Sequence, residues 1–173
     1  MRKILLVIDM QKDFIDGSLG TKEALEIVDC VLEKISKYPK ENIIATRDTH
    51  EANYLETQEG ENLPVVHCVR GTEGWGLDKR IAQVLEGVRI IDKPTFGSIE
   101  LIELLYEEAK KGDIEVEMVG LCTDICVVSN AILLKAKMPE MKITVDSSCC
   151  AGVTPETHRA ALTTLAMCQV TVK

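Results

Sequence analysis

A chain of 173 residues with 28 acidic and 20 basic side chains, a formal charge of −8 at pH 7 and seven cysteines reads as one ordinary domain, long enough to bury about two-thirds of the surface its unfolded form exposes. The negative charge repels phosphate backbones and anionic lipid, which argues against nucleic acid or a membrane as partner, and no apolar run has the length of a membrane span. An odd cysteine count, with opening residues Met1 to Asp9 that read as a strand rather than a signal-peptide core, points to a reducing, cytoplasmic setting.

Ile4 to Ile8 is the first strand. A helix near Lys22 to Lys37 follows, then strands at Asn42 to Thr46, Val65 to Val69 and Val88 to Ile91. A helix near Ser98 to Lys111 is stopped by Gly112, and Val116 to Leu121 is a strand that turns tightly into a helix reaching Lys137. Lys142 to Val145 is the next strand. Thr154 as N-cap with Pro155 at the first helical position opens the last helix, and Gln169 to Val172 is the last strand. This alternation predicts an α/β domain over residues 1–173, in three α/β/α layers around a mostly parallel, Rossmann-like sheet. The polar excursion from Arg47 to Trp75 is longer than such a connection needs, and excursions at strand ends usually carry function.

Ligands of open α/β sheets collect at the carboxyl ends of the strands, where three reactive side chains are expected. Asp9 follows the first strand, Lys93 follows Arg89 to Asp92, and Cys126 follows Val116 to Leu121 by one turn, with Thr123 or Asp124 as helix N-cap. Singly, Asp9 reads as a turn cap, Lys93 as a surface lysine and Cys126 as a packed core thiol. Together they fit acyl transfer through a thioester. Asp9 would remove the thiol proton, Cys126 would attack a carbonyl from a helix N-terminus that favours thiolate, and Lys93 would hold the anionic groups in place.

A second cluster adjoins this one. Asp48 and His50, two apart on an extended segment, share a face, and His67 ends the neighbouring strand. One carboxylate and two imidazoles suit a divalent transition metal such as zinc, with iron or manganese as alternatives; a loop carboxylate and a satisfied core histidine are the other reading. His158, on the last helix, reads as structural or exposed. Cys122 and Cys126 lack redox or zinc-pair spacing, and Cys149-Cys150 cannot readily bridge neighbours, so apart from Cys126 as candidate nucleophile these read as small packing residues. Gly71 to Gly74 reads as a turn.

With these residues in view, the chain resembles the isochorismatase-like cysteine hydrolases, and within them the nicotinamidases, essentially end to end. Asp9 to Phe14 resembles the D-x-Q-x-D-F opening, Thr46 to His50 and His67 to Thr72 the two metal-ligand segments, and Lys93 to Ser98 the lysine segment. Gly120 to Val127 resembles the nucleophile motif G-x-x-T-D-x-C-V, and Asp146 to Ala151 is similar to the late D-[AS]-x-x-A turn. The resemblance implies an Asp9-Lys93-Cys126 triad, an oxyanion hole from the N–H groups of Cys122 and Cys126, and often a cis peptide before Cys122. Where nicotinamidases commonly carry a ring-stacking tryptophan, three residues before the ligand histidine, this chain has Pro64. Phe14 and Trp75 are the candidate substrate walls. The expected partners are a small-molecule amide and further copies of the chain. Three functions stay open: a metal-containing nicotinamidase, a hydrolase of another small amide or carbamoyl compound, and a non-catalytic binding domain.

Overall fold

The computed structural model describes residues 1–173. Six parallel strands, β1 (Arg2–Ile8), β2 (Ile43–Asp48), β3 (Arg89–Lys93), β4 (Ile114–Leu121), β5 (Ile143–Ala151) and β6 (Thr171–Val172), form one sheet in the order β3-β2-β1-β4-β5-β6. Every strand is parallel to its neighbours. β1 explains the layering: successive side chains alternate faces, so Ile4, Leu6 and Ile8 join one buried cluster while Leu5 and Val7 join the other.

Helices α1 (Lys12–Ile15), α2 (Lys22–Glu26) and α3 (Val28–Ser36) follow β1. α3 buries Val28, Val31 and Ile35 against Leu5 and Val7, joined by Ile81 of α5 (Lys79–Val84). The short α4 (Gln58–Asn62) lies between β2 and α5. On the opposite face α6 (Ile99–Lys111) and α7 (Val128–Lys137) bring Leu101, Leu105, Ala131 and Leu134 to Leu6 and Ile8, with α8 (Pro155–Met167) contributing Leu165. Ser98 and Thr154 cap α6 and α8, each accepting a backbone N–H at 3.1 Å.

Several expectations need correction. Val65 to Val69 is not a sheet strand; its only ladder contact is an isolated bridge between His50 and Val69, because β2 already pairs with β1 and β3 and offers no free edge. Lys22 to Lys37 is two helices meeting at Ile27, and strand β5 runs on through Asp146 to Ala151, where the motif resemblance implies a turn. Cys149 is not a free packing thiol: α3 crosses β5, and Cys30 and Cys149 form a disulfide across 119 residues. No helix is long and apolar enough to cross a membrane.

Candidate active site

β1 leads to β2 on one side while β4 lies on its other side, so the crevice between their carboxyl ends is where the strand order reverses. Asp9 leaves β1 in the left-handed region at φ 45° and is fully buried, a backbone conformation uncommon for a non-glycine residue. Its Oδ1 accepts a hydrogen bond from Thr46 Oγ1 at 2.6 Å. Lys93 ends β3 with its side chain completely buried. Its Nζ lies 2.7 Å from Asp9 Oδ2, 3.2 Å from Asp48 Oδ1 and 3.3 Å from Cys126 Sγ, and donates to Thr95 O at 3.1 Å.

β4 needs Gly120 before the turn. At φ 118°, a Cβ there would stand 2.1 Å from Ile8 O, so only glycine lets β4 end this close to β1. The Leu121–Cys122 peptide is cis, as the resemblance implied. Thr123 to Val127 form a wide π-type turn that leads into α7; both Ile125 N and Val127 N donate to Cys122 O at 3.1 Å. Neither Thr123 nor Asp124 caps the helix, since the turn spends their side chains elsewhere: Thr123 Oγ1 is 2.8 Å from His158 Nδ1, and the Asp124 carboxylate accepts from Val153 N.

The electrostatics follow from burial. Desolvation works against the Lys93 charge, but Asp9, Cys126 and Asp48 overcome it and hold the ammonium charged. Burial raises the Asp9 carboxyl despite Lys93. Burial, then Asp9, pushes the Cys126 thiol well up, opposed by Lys93. The sequence leads one to expect a helix end that favours thiolate; desolvation of the buried sulfur is the larger effect and favours the neutral thiol.

Asp48 ends β2, His50 follows it, and His67 comes from the irregular segment after α4. They are joined by Glu59 of α4; one ligand atom from each of the four lies within 4.8 Å of the others. His67 Nδ1 is engaged with Val65 O at 2.8 Å, which turns Nε2 toward the cluster. His50 Nε2 is buried with no hydrogen-bond partner, 2.9 Å from Asp48 Oδ2 and 3.5 Å from Glu59 Oε1. Burial lowers the His50 pKa, yet these two carboxylates drive it up to about 9, showing how strongly the point favours positive charge. An orphaned imidazole nitrogen facing a second imidazole and two carboxylates fits a divalent ion.

Sequence reasoning missed Glu59, which lies among other acidic residues of the excursion with nothing local to distinguish it. It also missed the supports. Gln11 clamps Asp48, donating to its carbonyl at 2.8 Å and accepting its N–H at 2.7 Å. Asp13 accepts Cys68 N at 2.8 Å beside His67. Asn130, one helical turn beyond Cys126, accepts from Ser98 N at 2.9 Å and donates to Cys126 O at 2.8 Å, joining the loop after Lys93 to the turn that holds Cys126. Gln11 and Asp13 sit in the opening motif, and Asn130 at i+4 from Cys126; those spacings were the available signals.

Cys126, Cys122, Asp48, His50, Glu59 and His67 line one cavity of about 740 Å³, with Phe14, Leu63 and Phe96 among its apolar walls. Trp75 is not a wall of it. Its indole N–H donates to Thr49 Oγ1 at 2.9 Å and the Arg47 guanidinium lies 3.7 Å from its ring centroid, so both its polar edge and one face are engaged outside the cavity.

An isochorismatase domain model matches residues 3–173. The nicotinamidase of Saccharomyces cerevisiae is 27% identical over 175 residues, covering 75% of this chain and 80% of that protein. Among crystal structures, the pyrazinamidase/nicotinamidase of Streptococcus mutans superposes with a TM-score of 0.85 at 28% identity, over 99% of both chains. The pyrazinamidase of Pyrococcus horikoshii, solved in complex with zinc, gives 0.79 at 25% identity over 100% of this chain and 99% of that one.

Proposed function

The chain belongs to the isochorismatase family, and from that premise we propose that it is a cysteine-dependent amidase hydrolysing nicotinamide to nicotinate and ammonia through a thioester. One observation carries the reading: a single buried ammonium, Lys93 Nζ, contacts a carboxylate, a thiol and a carboxylate of the metal-ligand cluster beside one cavity. The relatives named nicotinamidase support the substrate class.

Asp9 takes the thiol proton as Cys126 Sγ bonds to the amide carbon, and the Cys122 and Cys126 N–H groups receive the developing oxyanion. Asp9 then returns that proton to the nitrogen, the C–N bond breaks, ammonia leaves and the thioester remains. A water molecule, giving its proton to Asp9, adds to the thioester carbon. The C–S bond breaks, the acid departs and Cys126 regains its proton from Asp9. Lys93 stays charged throughout and holds Asp9 and Cys126 adjacent as the single negative charge moves away from Asp9 and back. Asp48, His50, Glu59 and His67 would hold a divalent ion, zinc by the donor set with iron or manganese as alternatives, which when bound supplies a Lewis-acid contact for a ring nitrogen. Phe14 offers an apolar wall for the ring.

A second reading, another small amide or carbamoyl substrate, is favoured by the lining around Leu63. Pro64 stands where nicotinamidases commonly place a tryptophan, and Leu63 lines the cavity instead. Ammonia release from nicotinamide, benzamide and carbamoyl compounds, with metal content measured, separates the readings. Nicotinamide should be turned over far faster than benzamide, which lacks the ring nitrogen. Equal rates would favour the second reading, and no release from any of them would overturn both.

A further inference from the structure

His158 belongs to α8, no residue of which lines the cavity. Yet its Nδ1 meets Thr123 Oγ1 at 2.8 Å, and Thr123 is completely buried in the turn between Cys122 and Cys126. The adjacent Asp124 carboxylate accepts Val153 N at 3.1 and 3.2 Å, so two consecutive side chains of the nucleophile turn are tied to the start of one helix. That start is itself built firmly. Thr154 and Thr157 cap each other, His158 N donates to Thr154 O at 2.9 Å, and at Gly152 a Cβ would stand 2.9 Å from His158 backbone atoms. Behind the turn, Leu121 pairs with Ala151 in the sheet. The turn is therefore fixed from α8 as well as from β4.

We propose that His158 is a positioning residue for the hydrolysis: through Thr123 it sets the turn that presents the Cys122 and Cys126 N–H groups to the carbonyl oxygen. This rests on the amidase reading of the site. Burial lowers the His158 pKa and so favours the neutral imidazole, whose Nδ1, as an acceptor, would take the Thr123 hydroxyl hydrogen. The substrate is untouched by His158. What it supplies is the angle at which two N–H groups meet a developing charge, where removal of one such donor outright costs roughly 10²- to 10³-fold.

The test compares two reactions of the same sulfur. Acyl transfer to Cys126 from p-nitrophenyl acetate passes through an oxyanion, whereas alkylation by iodoacetamide displaces iodide and needs none. His158→Ala should slow acylation and kcat for the amide by about tenfold, with KM and the alkylation rate within roughly twofold of wild type. His158→Asn, whose amide can reach the Nδ1 position, should recover most of the loss. Thr123→Val should match His158→Ala, and the double variant should be no worse than either alone. Unchanged acylation in His158→Ala overturns the proposal, as does a parallel fall in alkylation, acylation and thermal midpoint, which marks a merely structural residue. A wild-type enzyme that is acylated by the ester but releases no ammonia from any amide refutes the amidase reading and leaves the positioning role standing on the acylation rates. A wild type that is neither acylated at Cys126 nor releases ammonia from any amide refutes both.

Discussion

Asp9, Lys93 and Cys126 are three residues whose ordinary behaviour is altered by being enclosed together. An isolated aspartate is a weak base and an isolated thiol is mostly protonated at neutral pH; here burial raises both, and only the Lys93 ammonium makes a shared anionic state affordable. Cys126→Ala should therefore abolish turnover, by on the order of 10⁴-fold or more, with the fold retained. Asp9→Asn should lower kcat by about 10²- to 10⁴-fold through loss of the base. Wild-type ammonia release from either variant would rule out its assigned role. Glu59 offers a separate check, since it came from the structure rather than the sequence. Glu59→Gln keeps shape but removes a negative oxygen from the cluster, so metal content after purification should fall relative to wild type, with His67→Ala falling further. Equal metal in Glu59→Gln and wild type would remove Glu59 from the ligand set. Trp75 is a residue-scale lesson too: a candidate substrate wall in the sequence, it does not line the cavity, because Arg47 and Thr49 engage its ring.

Strand β4 is the element on which the site depends most. It lies between β1 and β5, carries Gly120 at its closest approach to Ile8, and leads into the turn that holds Cys126. Gly120→Ala should cost well over about 1 kcal/mol, because the added Cβ meets a backbone oxygen at a φ that alanine avoids; an unchanged urea midpoint would contradict this. In the middle of the same strand Glu117 is buried, accepting hydrogen bonds from Tyr38 and from Lys34 at 2.9 Å, and Lys34 also pairs with Asp146 of β5. Burial pushes the Glu117 and Asp146 pKa values up, but these partners outweigh it and hold both below their ordinary 4.5 and 3.8. A carboxylate held low in the folded state adds stability that is present above its unfolded pKa and lost as pH falls through the folded one. Stability should thus decline below about pH 4.5, and Glu117→Gln should lose about 1–3 kcal/mol at pH 7 and flatten that acid decline. Urea unfolding at pH 7 and pH 3.5 measures both effects, and an unaltered acid slope would count against the Glu117 assignment.

At the scale of the whole molecule, one sheet order brings everything together. With β1 central, the ends of β1, β2, β3 and β4 lie side by side, so residues as distant as Asp9, Asp48, Lys93 and Cys126 share a crevice without any of them being neighbours in sequence. Much of this was legible beforehand. The alternation of Ile4, Leu6 and Ile8 against Leu5 and Val7 encodes a strand covered on both faces, and Ser98 and the Thr154-Pro155 pair mark helix starts, because strand periodicity and capping depend only on contacts within a few residues. The motif residues Asp9, Lys93 and Cys126 were identifiable for the same reason: each sits at a fixed offset from the end of a strand that its own segment specifies. What the sequence could not determine was which residues from irregular segments would meet. Glu59 reaches His50 and His67 only because the excursion after β2 folds back through α4, and His158 reaches Thr123 only because α8 begins beside the turn after β4. Val65 to Val69 has the composition of a strand but keeps only an isolated bridge to His50, since β2 is already paired on both sides, and Cys30 met Cys149 because α3 crosses β5. Local pattern decides what each segment is, through geometry that repeats every two or four residues. Sheet order and loop path decide what each segment touches, and those are properties of the packed chain alone.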